Sequence, residues 1–301
     1  MDPVQTFESH RPTLLALAYR MLGDLARAED TVQEAWLRWQ SHAAGVEVPR
    51  AFLLKVVTRL CLNELDSAHA RREESRGDRL PEPVDLGDTG MSRVERWGDV
   101  SMAFLVMLQR LTPAERAALL LHDVFDLDHA EVAALLQKSE AACRQLVARA
   151  RANVATERRA FETSVEEHHR LLRGFMTALM DGDQQALFSM LTEDATLVVD
   201  AGPHGARFGR IRSVGRPVVG ARKIAAFFAA VAREGRFHGV IVECELNGQP
   251  ALVRVHQGRP VSATLLSVLN GKIRCAFVQT DARRLSHLGH AFGESSGGPA
   301  S

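Results

Sequence analysis

The sequence predicts a multi-domain protein in which two all-α domains are followed by an α+β domain. Three observations support this fold class. Apolar residues recur at helical spacing through residues 1–75, and a short helix and a longer one, joined by a three-residue turn at residues 137–139, follow. Beyond residue 240, two Asn-Gly pairs lie between stretches of alternating apolar residues, which is the pattern of β-hairpins.

Length and charge limit the classes of protein to which the chain can belong. With 301 residues, 46% of them hydrophobic, the chain can supply several apolar cores. Its 37 Lys and Arg residues equal its 37 Asp and Glu residues, so the formal net charge is zero. A protein that held DNA through its overall field would be basic. Any contact with nucleic acid must therefore come from local clusters or through a partner that contributes affinity.

The cysteines and the N-terminus indicate a soluble protein of the cytoplasm. The four cysteines lie far apart, without the paired spacing of a zinc site: Cys61, Cys143, Cys244 and Cys275. No apolar signal segment opens the sequence, and no apolar run approaches the length of a membrane span. We therefore expect buried free thiols, no metal, no cofactor and no association with a membrane.

The first domain, residues 1–75, is predicted to be a helical bundle. Asp24 is a suitable N-cap for a helix whose apolar residues form an amphipathic stripe: Ala28, Val32, Ala35, Trp36 and Trp39. Pro49 fits the first position of a further helix, which carries apolar residues as far as Leu62. The apolar stripes predict helices that pack on one another.

Residues 76–95 are predicted to be a linker between the two helical domains. Glycines and prolines stand here among acidic residues, a composition that cannot bury much surface. Within the linker, residues 80–83 (Leu-Pro-Glu-Pro) are stiff, because each proline restricts its own backbone and that of the preceding residue. We therefore expect a connecting segment that contains one preshaped piece.

The second domain, residues 96–160, is predicted to be a helix-turn-helix domain. Thr112 can cap one helix while Glu115 reaches back to the cap, and Asp128 and Glu131 repeat this arrangement for a short helix. The three-residue turn then leads to a longer helix that is rich in arginine. Two helices in this arrangement are typical of DNA-binding domains.

The third domain, residues 166–287, is predicted to combine helices with a curved antiparallel sheet. The hairpin turns are Asn247-Gly248 and Asn270-Gly271. The other elements are two helices between residues 171 and 191, a strand at residues 195–199 and a helix at residues 221–232. Helices are expected on one side of the sheet, and residues 288–301 are expected to form a disordered tail.

Two groups of residues in the N-terminal half resemble extracytoplasmic-function sigma factors, which carry bacterial RNA polymerase to particular promoters. The first resembles their polymerase-binding segment: residues 19–24 (Tyr-Arg-Met-Leu-Gly-Asp) and 28–36 (Ala-Glu-Asp-Thr-Val-Gln-Glu-Ala-Trp). The second resembles their region four: residues 111–116 (Leu-Thr-Pro-Ala-Glu-Arg), 131–133 and 149–151. The resemblance implies that residues 1–75 are sigma region two and that residues 96–160 are sigma region four.

The third domain resembles the SnoaL-like cone that one subgroup of these factors carries after region four. That subgroup has a Trp-Leu-Pro-Glu-Pro linker, and residues 79–83 are here Arg-Leu-Pro-Glu-Pro. Its Asp-Gly-Gly-Gly and Asn-Pro-Asp-Lys-Leu motifs are reduced to Asp-Ala-Gly at residues 200–202 and Asp-Ala-Arg-Arg-Leu at residues 281–285. The resemblance implies that the cone modulates activity and that the regulatory linker is Leu80, Pro81, Glu82 and Pro83.

The polar face of the helix after Asp24 is the candidate polymerase-binding surface. Asp30, Glu34 and Leu37 share one side of that helix, with Glu29 and Gln33 beside them. A solvated acidic face is the simpler interpretation for an isolated helix. A leucine among carboxylates suits a contact surface with a polar rim, and by resemblance this face docks on the clamp helices of core RNA polymerase.

The helix that begins at Pro49 is, by resemblance, the candidate for opening the downstream (minus ten) promoter element. Its candidate DNA-binding residues are Arg50, Arg59, Asn63, Arg71 and Arg72. Arginines can neutralise phosphates, and an asparagine can contact a base edge. Acidic neighbours dilute the basic patch, so a solvated surface charge is an equal alternative for each single residue.

The helix after the three-residue turn is the candidate recognition helix for the upstream (minus thirty-five) element. Arg144, Ala148 and Arg151 lie along one face, with Gln145 and Arg149 adjacent. Arginine can chelate guanine, glutamine can chelate adenine, and a small alanine lets the helix approach the groove closely. The alternative is a surface helix that uses arginine for solubility.

We therefore expect a sigma factor that performs no catalysis and binds core RNA polymerase and promoter DNA. A helix-turn-helix regulator with a ligand-binding domain is an alternative, but it would leave residues 28–36 unexplained. A SnoaL-like enzyme with a helical accessory domain would draw its acid or base from Asp200, His204, His238 and His256. Fold alone does not establish such chemistry. The C-terminal domain is also a candidate binding site for an unknown small ligand.

Overall fold

The computed structural model describes residues 2–70, 79–86, 101–158, 164–202, 207–208, 211–212, 216–233 and 239–289. The chain divides into two compact units. The helical unit contains residues 1–74, 86–100 and 104–156, and the C-terminal unit contains residues 75–85, 101–103 and 157–301.

The first half of the helical unit consists of α1 (Pro3–Leu22), α2 (Leu25–His42), a short 3₁₀ turn (Ala43–Gly45) and α3 (Pro49–Ala70). The Asp24 side chain accepts a hydrogen bond from the Arg27 N–H and caps α2 as predicted. Ala28, Val32, Ala35 and Trp39 are buried. Four of the five residues of the predicted stripe are therefore buried, and Trp36 is half-buried with its ring 4.9 Å from that of Phe7. Trp39 also donates from Nε1 to the Pro3 carbonyl.

In the second half of the helical unit, capping residues mark where α5 and α6 begin. Its helices are α5 (Pro113–Leu119), α6 (His129–Leu136) and α7 (Glu140–Arg158), preceded by α4 (Met102–Arg110), whose first residues belong to the C-terminal unit. Thr112 with Glu115 and Asp128 with Glu131 form complete capping boxes. Gln137 adopts the left-handed conformation (φ 54°) that ends α6, which confirms the helix-turn-helix arrangement.

The C-terminal unit is an α+β fold, as predicted. Its helices are α8 (Val165–Asp181), α9 (Gln184–Met190), α10 (Ala221–Arg233) and the short α11 (Ala282–Leu285). Its strands are β1 (Leu191–Asp200), β2 (Arg207–Phe208), β3 (Ile211–Arg212), β4 (Val218–Val219), β5 (Val240–Leu246), β6 (Gln249–His256), β7 (Arg259–Leu269) and β8 (Lys272–Gln279). A 3₁₀ turn at Ser286–Leu288 follows α11.

Among the described residues, the main sheet has the strand order β4-β1-β8-β7-β6-β5. The prediction of a wholly antiparallel sheet is wrong at one pair, since β1 and β8 are parallel. A parallel pair needs a long crossover connection, and here the whole stretch between Asp200 and Lys272 separates the two strands. Local hairpin signals carry no information about such a pairing.

The hairpin turns follow the local residue pattern. Asn247-Gly248 joins β5 to β6 and Asn270-Gly271 joins β7 to β8, with positive φ at all four residues, so both turn predictions are confirmed. The β6–β7 connection, Gln257-Gly258, also has positive φ at both positions. We did not predict this turn, because glutamine seldom adopts that conformation.

Both faces of the main sheet are covered. On one face, α8, α9 and α10 pack with the strands around a core that includes Phe175, Phe228 and Leu266. Neighbouring strand residues point to opposite faces. Leu265 and Phe277, on the second face, are nevertheless buried as well. Within the C-terminal unit, α11 and the 3₁₀ turn that follows it both contact β7.

The C-terminal end of the described chain takes part in this covering. Leu285 in α11 is buried, and Leu288 is 1% exposed, although residue 288 lies within the range expected to be a disordered tail. Apolar contact with the sheet explains why Leu288 is held in place. The rest of the expected tail, residues 290–301, lies outside the described residues.

Candidate functional site

The polar face of α2 is exposed along its length. All five candidate polymerase-binding residues are exposed: Glu29, Asp30, Gln33, Glu34 and Leu37. The Leu37 side chain is 53% exposed, and the Glu34 carboxylate lies 3.1 Å from Nε of Arg38 on the next turn. The buried stripe of Ala28, Val32 and Ala35 occupies the other side of the helix. The structure thus presents the five residues as one surface.

The candidate DNA-binding residues of α3 differ in accessibility. Asn63 is exposed and Arg59 is half-buried, whereas Arg71 and Arg72 lie outside the described residues. Arg50 donates from Nη2 to the Phe125 carbonyl at 3.1 Å. Arg50 is therefore bonded within the helical unit, at a residue that follows α5.

Two buried arginines connect the two halves of the helical unit. Arg116 is 6% exposed, and it donates from Nε to the Leu108 carbonyl (2.7 Å) and from Nη1 to the Met21 carbonyl. Burial lowers the pKa of Arg116 to about 10. The guanidinium carbon of Arg20, another buried residue, lies 5.8 Å from the centre of the Phe125 ring. The two motifs that contain Met21 and Arg116 are therefore in contact.

The candidate recognition helix α7 presents its predicted residues to the outside. The candidates are all exposed: Arg144, Gln145, Ala148, Arg149 and Arg151. The opposite side of α7 is buried through Cys143, Leu146, Val147, Ala150 and Val154. Asn153, which we did not predict, is exposed one turn beyond Arg149. Its signal was the helical spacing from Arg149, extended by one turn.

Each of the three candidate arginines on α7 has an acidic neighbour. Arg144 pairs with Glu140 one turn earlier on the same helix. Nε of Arg149 lies 3.3 Å from the Glu115 carboxylate. Arg151 donates from Nε (2.9 Å) and Nη2 (2.6 Å) to the Asp123 carboxylate. We predicted none of these pairs, because the acidic partners of Arg149 and Arg151 lie in earlier turns of the domain.

The linker segment is buried, contrary to the expectation that the linker would bury little surface. Residues 80–84 are all buried, Leu80 at 1% exposed and Val84 at 0%. Leucine, proline and valine side chains supply apolar surface here, so the glycine-rich and acidic composition of the surrounding linker does not describe this piece. Residues 76–78 and 87–95 of the expected linker lie outside the described residues.

The first residue of this segment is held through its main chain. The Leu80 N–H donates to Oδ2 of Asp200 at 3.1 Å, and Arg284 donates from Nη1 to the Leu80 carbonyl. Gln279 donates to the same Asp200 oxygen at 3.2 Å, and the Gly202 N–H donates to the other. The reduced motifs at residues 200–202 and 281–285 therefore meet at Leu80.

The last residue of the segment is held at the β5–β6 turn. The Val84 N–H donates to Oδ1 of Asn247 at 3.2 Å, and the Asn247 N–H donates to the Val84 carbonyl at 2.8 Å. At the start of α4, the Met102 N–H donates to Oε1 of Gln249 at 3.1 Å. In the sequence, Asn247 indicates only a turn, and no pattern connects Gln249 with Met102.

The middle of the segment contacts the 3₁₀ turn after α11. His287 donates from Nε2 to the Pro83 carbonyl at 2.7 Å, and its Nδ1 lies 2.8 Å from the Glu82 carboxylate, an ion-pair distance without hydrogen-bond alignment. Arg79, which stands in place of the family tryptophan, lies 3.7 Å from the Asp281 carboxylate. The linker segment together with Asp200, Asn247, Asp281, Arg284 and His287 is called the linker site below.

The enzyme alternative loses a central candidate at the linker site. The Asp200 carboxylate accepts three hydrogen bonds from the protein, so it is not presented to a substrate. His256 is exposed at the end of β6, and His204 and His238 lie outside the described residues. A surface pocket of about 400 Å³ in the C-terminal unit is lined partly by Glu243, whose carboxylate pairs with His169 and Arg173.

Two kinds of site are not found in the part of the chain that the structure describes. No group of three or more His, Cys, Asp or Glu residues is placed to hold a metal ion. None of the helices there combines the length and the apolar character needed to cross a membrane. The cysteines are free, with Cys61 and Cys143 buried, and burial raises the pKa of both thiols.

Known proteins share both the domains and the structure of this chain. The family models that match are "Sigma-70 region 2" at residues 6–72 and "Sigma-70, region 4" at residues 101–154. The first of these matches covers residues 28–36, which the helix-turn-helix alternative left unexplained. The crystal structure of the Mycobacterium tuberculosis extracytoplasmic function sigma factor SigJ aligns with a TM-score of 0.72 at 31% identity, covering 94% of this chain and 98% of that chain.

Curated relatives from Mycobacterium tuberculosis give the same result. The ECF RNA polymerase sigma factor SigJ is 39% identical over 234 residues, which are 76% of this chain and 73% of SigJ. The probable ECF RNA polymerase sigma factor SigI is 33% identical over 282 residues, which are 90% of this chain and 91% of SigI. The chain therefore belongs to the extracytoplasmic-function (ECF) family of RNA polymerase sigma factors.

Proposed function

We propose that this chain binds core RNA polymerase through the polar face of α2 and directs it to a set of promoters. The observation that carries the proposal is Leu37, a half-exposed leucine among the carboxylates of Glu29, Asp30 and Glu34. An apolar side chain with a polar rim suits a surface that a partner covers. The face lies within the residues that match sigma region two, which supports core polymerase as that partner.

Charge reversal on α2 tests this proposal. Replacing Asp30 and Glu34 with lysine should abolish co-elution with core polymerase, because like charges would face the partner surface. The helicity of the protein should stay unchanged, since both side chains are exposed. A matched control replaces Glu166 and Asp181, which are exposed on α8, with lysine. Full polymerase affinity in the α2 variant would contradict the proposed dock.

Promoter contacts are proposed to come from both halves of the helical unit. In region two, Arg59 and Asn63, together with Arg71 and Arg72, would contact the downstream element as it opens. In region four, the exposed face of α7 would enter the major groove at the upstream element. The zero net charge supports the view that polymerase supplies much of the affinity for DNA.

The interlocked halves are proposed to be a closed form of the protein. Arg50 can reach DNA only after its bond to the Phe125 carbonyl is released. Arg116 would likewise have to leave the Met21 carbonyl if the halves separate. We expect free protein to populate the closed form, and polymerase to favour a form in which the halves are apart.

The C-terminal unit is proposed to regulate this opening through the linker site. The linker site holds residues 80–84, and the bond from the Met102 N–H to Gln249 ties the start of α4 to the same unit. With residues 80–84 held, only residues 75–79 connect region two to the held segment, and these reach at most ~20 Å. Docking therefore limits how far apart the two reading domains can move.

No catalytic role is proposed for the C-terminal unit. Asp200, an acid or base candidate from the sequence, accepts a hydrogen bond from the Leu80 N–H of the linker. This bond supports a regulatory rather than a catalytic role for the C-terminal unit. A small ligand would regulate the protein only if its affinity differed between the docked and undocked forms. Without a ligand, the contacts of the linker site alone would set the fraction of protein that is undocked.

A further inference from the structure

Asp123 stands at an unusual point of region four. It lies in a single π-helical turn, Leu120–Val124, which continues α5 and is closed by the Phe125 N–H bond to the Leu120 carbonyl. Such turns are rare and often occur at functional sites. The Asp123 side chain is only 7% exposed, and it meets the half-exposed side chain of Arg151 on α7. A nearly buried carboxylate thus forms an ion pair with an arginine at the surface.

The way in which Asp123 holds Arg151 leaves part of the guanidinium available. The carboxylate accepts from Nε and Nη2, which form one edge of the planar group. Nη2 also lies 3.4 Å from Nδ1 of His122, which donates to Asp123 and therefore cannot accept from Nη2. A guanidinium has five N–H donors, so the edge formed by Nη1 and Nη2 keeps its outward donors. That edge matches two adjacent acceptors, such as two phosphate oxygens or O6 and N7 of guanine.

The carboxylate is itself fixed in place. Nδ1 of His122 lies 2.9 Å from Oδ1 of Asp123, and an ionised carboxylate only accepts, so Nδ1 carries the proton. The His122 ring lies 4.2 Å from the ring of His129, centre to centre. Burial alone would raise the pKa of Asp123, but the hydrogen bonds from Arg151 and His122 outweigh it and lower the pKa. The carboxylate therefore stays charged and oriented.

The other two candidate arginines of α7, Arg144 and Arg149, are held more loosely. The pair Arg144–Glu140 joins two side chains that are each about half exposed on the same helix, and Arg149 has a single 3.3 Å contact with Glu115. An exposed pair such as Arg144–Glu140 restricts a side chain little. Glu115 is only 12% exposed, but its single contact leaves the Arg149 guanidinium free to turn. Arg151, by contrast, has a two-point contact with a nearly buried partner. Among these three arginines, Arg151 is the one whose orientation is set before DNA arrives.

We propose that Asp123 is a positioning residue for promoter recognition, which holds Arg151 so that its outer edge meets a pair of acceptors on promoter DNA. The proposal rests on the proposed role of α7 as the recognition helix. Arg151 lies eleven residues after Glu140, about 16 Å along the helix, where contacts to phosphate become as accessible as contacts to bases. Ordering the side chain in advance removes an entropic cost from binding.

Simple electrostatics predicts the opposite effect of removing Asp123. The carboxylate is a negative charge beside a DNA-binding surface, so its neutralisation alone would strengthen attachment to phosphates. If Asp123 instead sequestered Arg151, neutralisation would also release the arginine and strengthen binding. Under the proposal, neutralisation weakens binding because Arg151 loses its fixed orientation. The sign of the effect therefore separates the proposal from both alternatives.

The test uses the full chain with core polymerase on a promoter that the protein transcribes. Asp123→Asn should lower promoter affinity by about two- to tenfold, the cost of ordering one long side chain. Asp126→Asn is the matched control, since it removes the same charge three residues later, at an exposed position whose left-handed conformation asparagine also adopts. The control should bind as well as the parent protein or slightly more tightly. Tighter binding by Asp123→Asn would overturn the proposal.

A double-mutant cycle guards against a mere folding defect. Arg151→Ala should weaken promoter binding, and adding Asp123→Asn to it should cause no further loss, since there is no arginine left to orient. A further loss in the double variant would show that Asp123 acts on the fold and would overturn the proposal. Arg151→Lys keeps the charge but not the two-edged geometry, so it should resemble Asp123→Asn.

Two further measurements identify the acceptors on DNA and distinguish the positioning role of Asp123 from the proposed role of α7. Scrambling the upstream element should leave the Arg151→Ala effect unchanged if the acceptors are phosphate oxygens, and should remove it if they belong to guanine. If Arg144→Ala and Arg151→Ala both leave promoter affinity unchanged, the proposed role of α7 fails. If only Asp123→Asn has no effect, α7 still reads DNA and the positioning role alone fails.

Discussion

The linker segment and the recognition helix hold their functional residues in opposite ways. Residues 80–84 are buried, and the hydrogen bonds at Leu80, Pro83 and Val84 involve main-chain groups. The α7 arginines are exposed, and their contacts run between side chains. One region is held through its backbone and shape, and the other leaves its side chains exposed, where the proposed contact with DNA would form.

This difference explains how the two regions tolerate change. Backbone bonds survive substitution of a neighbouring side chain, so the linker site can form although Arg79 replaces the family tryptophan and two motifs are reduced. On α7, a single substitution would remove a proposed DNA contact without touching the buried side of the helix. We therefore expect linker variants to act on docking and stability, and α7 variants to act on promoter choice.

The largest effect on the docking side is expected at Leu80. Leu80→Ala should destabilise the docked segment by about 2–5 kcal/mol, because it leaves a cavity at a fully buried position. Hydrogen exchange at the Leu80 and Val84 amides measures the effect directly. Val165→Ala, at an exposed position in α8, is the control and should change little. Unchanged amide protection in Leu80→Ala would contradict the packing described for the linker.

A smaller docking effect is expected at Asn247. Asn247→Gly keeps the positive φ of the turn but removes the acceptor of the Val84 N–H, at a cost of about 1–3 kcal/mol for a buried unpaired donor. The chain offers a close control, Asn270→Gly, in an equivalent Asn-Gly turn at an exposed position. Amide exchange at Val84 should rise only in the first variant. An equal rise in both would mean that the turn and not the bond matters.

The smallest effect on stability is expected on α7. Arg144→Ala should change the free energy of unfolding by less than about 0.5 kcal/mol, because its ion pair is exposed. Promoter affinity should nevertheless fall by ~1–3 kcal/mol if Arg144 pairs with guanine. The loss should shrink when the upstream element is scrambled. An equal loss on every promoter would indicate a phosphate contact instead.

Local patterns in the sequence were sufficient for the elements but not for the linker site. Capping and turn formation depend on neighbouring residues. Helix starts could therefore be predicted at Asp24, Thr112 and Asp128, and hairpins at the two Asn-Gly pairs. The partners of Leu80 and Val84 lie more than a hundred residues farther along the chain. No periodicity or spacing connects such residues, and only the folded sheet brings them together.

The same limit applied within region four. The exposed face of α7 followed from helical spacing, and the structure presents the expected residues on it. The bond between Asp123 and Arg151 depends on a π-helical turn, which no capping or periodicity rule predicts. The parallel pairing of β1 with β8 was missed for a similar reason, since it joins strands at opposite ends of the domain.

The central claim is that docking of the linker on the C-terminal unit limits promoter output, and run-off transcription with the two asparagine variants tests it most directly. Asn247→Gly and Asn270→Gly should bind core polymerase equally. Loss of the Val84 bond should shift the population toward the undocked form, so Asn247→Gly should raise transcript yield on the order of fivefold, while Asn270→Gly leaves it unchanged. Equal yields from both variants, with Val84 exchange raised only in the first, would contradict the account.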